Sequence, residues 1–174
     1  QHIEIVRDIA QAFNQTYGDT LVVPEPDIQK EVMVIPGLDG QKMSKNYNNT
    51  IPLFLDEKPL RKKIMQIKTD SRSLEEPKDP DSCHVFALYQ LFASPTDIAT
   101  LKARYMAGGM GYGEAKTCLF ECIRDTFLSS KQRFDDLMKD PAHIDSILEK
   151  GAQKARKVAQ HHLSTIREAI GISS

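Results

Sequence analysis

Apolar residues recur at Ile3, Val6, Ile9, Ala10, Phe13 and Tyr17, a spacing of threes and fours that lines one side of a helix. It predicts an amphipathic helix over 3–17, closed by Gly18. The period then changes. Leu21-Val22-Val23 and Val32-Met33-Val34-Ile35 are short runs rich in β-branched residues, parted by prolines and acids, and read as strands or extended edges. Pro36-Gly37-Leu38-Asp39-Gly40 holds two turn signals, and Asn46, Asn48 and Asn49 prolong the irregular character, so 36–50 is expected to be a long mobile loop.

From Asp56 onward the helical spacing returns. Leu60, Ile64 and Ile67 mark one helix, ended by an acidic, proline-containing linker from Asp70 to Asp81. Cys83 to Ala93 is dense in apolar residues and reads as a buried helix. Ser94-Pro95-Thr96-Asp97 then offers an N-cap, a first-turn proline and an acid, opening a helix to Met106. The glycines between Gly108 and Gly113 break the pattern before a long helix from about Glu114 to Lys139. Asp140-Pro141 opens a short helix to Lys150, and Ala155, Val158, Ala159, His162, Ile166 and Ile170 form the stripe of a final one. No internal repeat is visible. The expected class is therefore mainly α, a β-containing stretch giving way to a helical bundle. The domain boundary falls near 50–56, dividing the chain into 1–55 and 56–174.

Charge adds an asymmetry that the apolar pattern does not show. The net charge of -1 gives no global attraction to nucleic acid. Locally, residues 1–40 hold 2 Lys/Arg against 7 Asp/Glu, 41–72 hold 8 against 3, 73–149 hold 8 against 13, and 150–174 hold 5 against 1. Two basic blocks thus interrupt an acidic chain. One is Lys58, Arg61, Lys62, Lys63, Lys68 and Arg72; the other is Lys150, Lys154, Arg156, Lys157 and Arg167. Each is a solvated helix face or a phosphate-binding one.

The three cysteines, Cys83, Cys118 and Cys122, do not suggest a disulfide framework and fit a reducing cytoplasm. Cys118 and Cys122 share one helix face, but helical packing is the better reading and no metal site is expected. No apolar run approaches the ~18 residues of a membrane span, so no membrane partner is expected. The chain opens at Gln1, without Met and straight into a helical pattern, and reads as a piece cut from something longer. In His161-His162, one ring is expected to face the core and the other solvent; His2 reads as a surface residue.

The chemistry is concentrated in Lys42-Met43-Ser44-Lys45-Asn46, two lysines three apart across a small hydroxyl residue, at the tip of a glycine-containing loop. Such a loop can place two ammonium groups and several backbone N–H donors on a polyphosphate. Cations that engage a leaving group only as it gains charge raise kcat. The plain alternative is a solvated loop with ordinary lysines.

The stretch Pro-Gly-Leu-Asp-Gly-Gln-Lys-Met-Ser-Lys-Asn-Tyr-Asn-Asn-Thr-Ile closely resembles the KMSKS signature and its surroundings in class I aminoacyl-tRNA synthetases. Four further segments resemble the tryptophanyl branch. They are Lys62-Lys63-Ile64-x-x-Ile67-x-Thr69-Asp70-Ser71, Gly111-Tyr112-Gly113, Gly151-Ala152-Gln153-Lys154-Ala155-Arg156-x-x-Ala159, and the opening Gln1-His2-Ile3-Glu4-x-x-Arg7-Asp8-Ile9-Ala10.

The resemblance implies the end of a Rossmann-like catalytic domain over 1–55 and a helical anticodon-binding domain over 56–174. It implies a cytoplasmic tryptophan-tRNA ligase whose partners are ATP with Mg2+, L-tryptophan and the tryptophan tRNA, working as a homodimer. Lys42 and Lys45 would be catalytic. Met33, Lys42, Met43, Ser44, Lys45 and Asn46 would bind ATP, with the two methionines lining the adenine pocket. Among the basic residues, Arg61, Lys62, Lys63, Lys154, Arg156 and Lys157 are the candidates for tRNA contact. Asn46 departs from the usual Ser of the signature, and tuning rather than loss is expected. The HIGH motif, the tryptophan pocket and the Gly-x-Asp-Gln turn would lie before Gln1, so the chain alone is expected to be inactive. A tyrosyl-type synthetase and a non-catalytic helical RNA-binding module are the competing readings.

Overall fold

A computed structural model describes residues 1–27 and 34–172. Among these the chain is helical, with α1 at His2–Tyr17, α2 at Glu57–Met65, α3 at His84–Tyr89, α4 at Pro95–Ala107, α5 at Tyr112–Met138 and α6 at Pro141–Ala169. Contacts divide the chain into two compact units, 1–28 with 137–174, and 29–136. The boundary expected at 55/56 falls inside the second unit, because the loop before α2 packs on the helices that follow it.

The first unit holds α1 and α6. α1 ends at Gly18, whose N–H donates to the Asn14 carbonyl at 2.9 Å. The Asn14 side chain then fastens the returning chain: its oxygen accepts the N–H groups of Thr20 and Leu21 at 3.1 and 2.8 Å, and its amide donates to the Leu21 carbonyl at 2.7 Å. Arg7 donates to the Pro24 carbonyl and pairs with Glu25. These bonds hold 20–25 without a ladder. Leu21–Val23 is accordingly extended but not a strand, for no neighbouring segment among the described residues pairs with it.

α6 starts at Pro141, with the Asp140 carboxylate accepting the His143 N–H at 3.1 Å, and runs unbroken for 29 residues. The sequence pattern instead suggests a short helix to Lys150 and a separate final one carrying the stripe from Ala155. One interior glycine costs a helix only about 1 kcal/mol, and here the helix absorbs it. None of its residues is buried, and both His161 and His162 are exposed, against the expectation that one would face the core.

The second unit holds the core. Leu60 and Ile64 of α2, Val85, Phe86 and Leu88 of α3, Leu101 and Tyr105 of α4, and Ala115, Leu119 and Ile123 of α5 are buried together. Ile67 joins them from just beyond α2, whose helical hydrogen bonding stops at Met65. Removing each large apolar side chain from water contributes roughly 1.5–3 kcal/mol. The ends are set as the sequence anticipates: the Ser94 hydroxyl accepts the Asp97 N–H, Pro95 opens α4, and Gly108 follows it. The apolar run after Cys83 yields only six helical residues before tightening into turns through Ala93.

The 70–81 linker is organised around Lys78, which is only 3% exposed. Its ammonium donates to the carbonyls of Ser73, Glu76 and Leu74 at 2.9, 3.1 and 3.4 Å and lies 5.3 Å from the centre of the Tyr112 ring. The Tyr112 hydroxyl donates in turn to Asp70 at 2.7 Å. That bond holds the Asp70 carboxyl below its ordinary value, while burial, aided by the carboxylate, pushes the Tyr112 phenol up.

Candidate functional site

The segment carrying the paired lysines is a built structure rather than an unanchored loop. Its base is a single antiparallel bridge between Pro36 and Lys42, with the Gly37 N–H donating to the Gln41 carbonyl at 2.7 Å and the Met43 N–H to the Ile35 carbonyl at 2.8 Å. Gly40, at φ 87°, turns the chain where the His84 ring leaves no room for a Cβ. The Ser44 hydroxyl accepts the Asn46 N–H at 3.3 Å and starts a 3-10 turn over Lys45–Tyr47. Asn48, at φ 51°, then sends the chain back beneath it.

Asn49 fills the centre. It is 3% exposed, and its oxygen accepts the Ser44 N–H at 2.8 Å. Its amide donates to the Asp39 carboxylate at 2.7 Å and the Lys42 carbonyl at 3.3 Å. The Leu38 N–H donates to the Asn49 carbonyl at 2.9 Å. A Cβ on Gly37 would overlap the Asn49 carboxamide, so glycine is what admits it. The bond from Asn49 is the first cause that lowers the Asp39 pKa below its ordinary value. A backbone bond from the Lys68 N–H to the Leu38 carbonyl, 2.8 Å, ties the whole to the chain after α2.

On this frame Met43 is half-buried against the core, beside an apolar groove of about 400 Å³ lined by Ile35, Ile51, Leu88, Phe92 and Phe127. Lys42, Lys45 and Asn46 are exposed, and among the described residues no group pairs with either lysine's ammonium. Met33 lies outside the described residues. The structure thus brings Lys42, Met43, Ser44, Lys45 and Asn46 together. Sequence reasoning did not single out Asn49, although its place in an asparagine-rich turn was visible, and it passed over Lys78 inside an acidic linker.

The basic candidates separate into two groups. On α2, Arg61 lies 5.7 Å from the centre of the Phe120 ring, which Arg124 also approaches at 5.6 Å, while Lys62 is exposed and Lys63 half-buried. On α6, Lys154, Arg156 and Lys157 are all exposed. Because α6 is continuous, Lys150, Lys154 and Lys157 share one face, and Arg156, two residues from Lys154, points to the other side. Cys118 and Cys122 occupy the half-buried side of α5, where burial raises both thiol pKa values, and the Cys83 sulfur sits 3.5 Å from the Tyr105 hydroxyl.

Comparison with known proteins bears directly on this loop and the helices behind it. The profile of the family described as tRNA synthetases class I (W and Y) matches residues 1–128. The chain belongs to this family.

Within the class I synthetases of this W and Y group, similarity extends over the whole chain. It is 45% identical to a protein of Rhodopirellula baltica named tryptophan--tRNA ligase, over 99% of the chain and 54% of that protein. A namesake in Pseudomonas syringae pv. tomato is 44% identical over 100% of the chain and 39% of its own length. Among solved structures, the tryptophanyl-tRNA synthetase of Campylobacter jejuni complexed with ADP and tryptophan superposes with a TM-score of 0.80. That similarity is 43% identity, covering 98% of this chain and 53% of the other. The chain therefore spans about half the length of these relatives, or less. Among the described residues no helix is long and apolar enough to cross a membrane.

Proposed function

We propose that this chain supplies the ATP-activating loop and the helical tRNA-binding region of a tryptophan-tRNA ligase. The observation that carries the reading is the pair of lysines, unpartnered among the described residues, on an internally hydrogen-bonded loop. Identity of about 45% to proteins of that name, over the whole chain, supports it. In the first reaction the tryptophan carboxylate attacks the α-phosphorus of ATP, the bond to the bridging oxygen breaks, and pyrophosphate leaves with Mg2+. Negative charge gathers on the leaving group as that bond stretches, and Lys42 and Lys45 stabilise it. Ser44 and the loop N–H groups hold the phosphates, and Met33 and Met43 flank adenine. In the second reaction a ribose hydroxyl at the acceptor end of the tRNA attacks the adenylate carbonyl and AMP departs. The protein acts in the cytoplasm as a homodimer, and this chain alone forms no adenylate.

Lys45→Ala in the whole synthetase tests the loop. Tryptophan-dependent pyrophosphate exchange is expected to lose kcat by about 100-fold or more, the scale of one lost transition-state donor, with KM for ATP altered far less. A raised KM at unchanged kcat would show uniform ground-state binding and overturn the assigned role.

A further inference from the structure

We propose that Asn49 is a positioning residue for the activation step, its carboxamide fixing the backbone from which both loop lysines project. The proposal rests on the reading of the loop given above. Apart from the Ser44 hydroxyl, Asn49 is the only side chain among the described residues that hydrogen-bonds the backbone of 42–46. It grips that stretch at two places, the carbonyl of Lys42 itself and the N–H of Ser44, immediately before Lys45. Its remaining donor is spent on Asp39, whose carboxylate also accepts the Gln41 N–H at 3.1 Å.

The carboxamide is thus satisfied in three directions on a residue only 3% exposed, where an unmet partner is costly. The ammonium groups have no partner among the described residues, so their placement is inherited from the backbone that Asn49 holds. Reactions that depend on such placement lose about 100-fold for a misplacement of roughly 1 Å. Aspartate at 49 would still accept from Ser44, but it would set a carboxylate against Asp39 and the Lys42 carbonyl.

The experiment measures tryptophan-dependent pyrophosphate exchange in the whole synthetase, with active sites counted from the burst of adenylate and folding followed by thermal melting. Asn49→Ala is expected to lower kcat per active site by about 10- to 100-fold, leaving KM for ATP within about threefold. Asn49→Asp is expected to be at least as impaired. Unchanged kcat per active site in Asn49→Ala, whether or not the melting temperature falls, would reduce Asn49 to a packing residue and overturn the proposal. Unchanged kcat per active site in Asn49→Asp, which keeps the acceptor for the Ser44 N–H but has no donor for the Lys42 carbonyl, would overturn it as well, and remains decisive if the alanine variant does not fold. If the parent shows no tryptophan-dependent exchange, the functional reading fails and takes this proposal with it; an active parent with an indifferent Asn49 leaves that reading standing.

Discussion

Replacing Lys78 by Met keeps the buried stem and removes the ammonium that gathers three carbonyls of the 70–81 linker. Two of those bonds, at 2.9 and 3.1 Å, have full-strength geometry, and the 3.4 Å one is long. A hydrogen bond to a charged group contributes about 1.5–3 kcal/mol, and the ring contact with Tyr112 adds about 0.5–1 kcal/mol. Against this, Met needs no desolvation of an ammonium, and the freed carbonyls belong to exposed residues that water can reach. The balance is a loss of about 2–3 kcal/mol. With a urea slope of about 1–2 kcal/mol/M for a unit of this size, the unfolding midpoint should fall by about 1–3 M. If the linker opens alone, the loss should appear instead as faster hydrogen exchange at the Gly109 N–H, which donates to Leu74, and at the Lys78 N–H, which donates to Tyr105. A variant with an unmoved midpoint and unchanged exchange at both amides would show that Lys78 is merely tolerated where it lies.

Lys154→Ala with Lys157→Ala, on one face of α6, should flatten the salt dependence of tRNA binding by one to two units of log–log slope, about one per lost phosphate contact. Arg156→Ala alone should do less, and Arg133→Ala is the control, since Lys131 is tied to Asp56 and Asp135. Identical slopes for all three variants across a salt series would make this face a solvated one. In acid, Asp39 and Asp70 have folded pKa values below their ordinary 3.8, so the stability they add is complete above about pH 4 and is lost as pH falls through those lower values. The urea midpoint should therefore hold from pH 7 to about 5 and drop below about 4, less steeply in Tyr112→Phe. Equal steepness in that variant would remove Tyr112 as the cause at Asp70.

The helices were legible because their signals are local. Ser94, Pro95 and Asp97 act within one turn of α4, and the Leu60, Ile64, Ile67 spacing needs only the adjacent residues to declare its face. The Lys42 to Asn46 signature was legible for a similar reason, being contiguous. What escaped was whatever depends on residues meeting across the fold. Lys78 reads as one more charge in an acidic linker until Ser73, Glu76 and Tyr112 surround it, and Asn49 reads as loop filler until Gly37, Asp39 and Ser44 close on it. The strands expected around 21–23 fail for the same reason in reverse: β-branched residues state a preference, but a ladder needs a neighbour. The span 141–169 reads as two helices because the apolar stripe restarts at Ala155, and the continuous α6 runs through that gap and its one interior glycine.

That helix carries a thermodynamic consequence. At about 1.5 Å per residue, α6 is a rod of roughly 44 Å, yet it has no buried side chain to subsidise its order. Its persistence then leans more than that of the other helices on helix–coil propagation, which is marginal in water for segments shorter than about 12–15 residues. Gly151 parts it into 141–150, shorter than that length, and 152–169, so the coil should enter on the short side, where proteases would first find a cleavable backbone. Any molecule that covers exposed apolar residues of this helix, such as Ile147 and Val158, must bind the helical fraction of an equilibrium and will raise that fraction as it binds. Its measured affinity will therefore contain a folding free energy, and alanine at Gly151, touching no ligand, should tighten it.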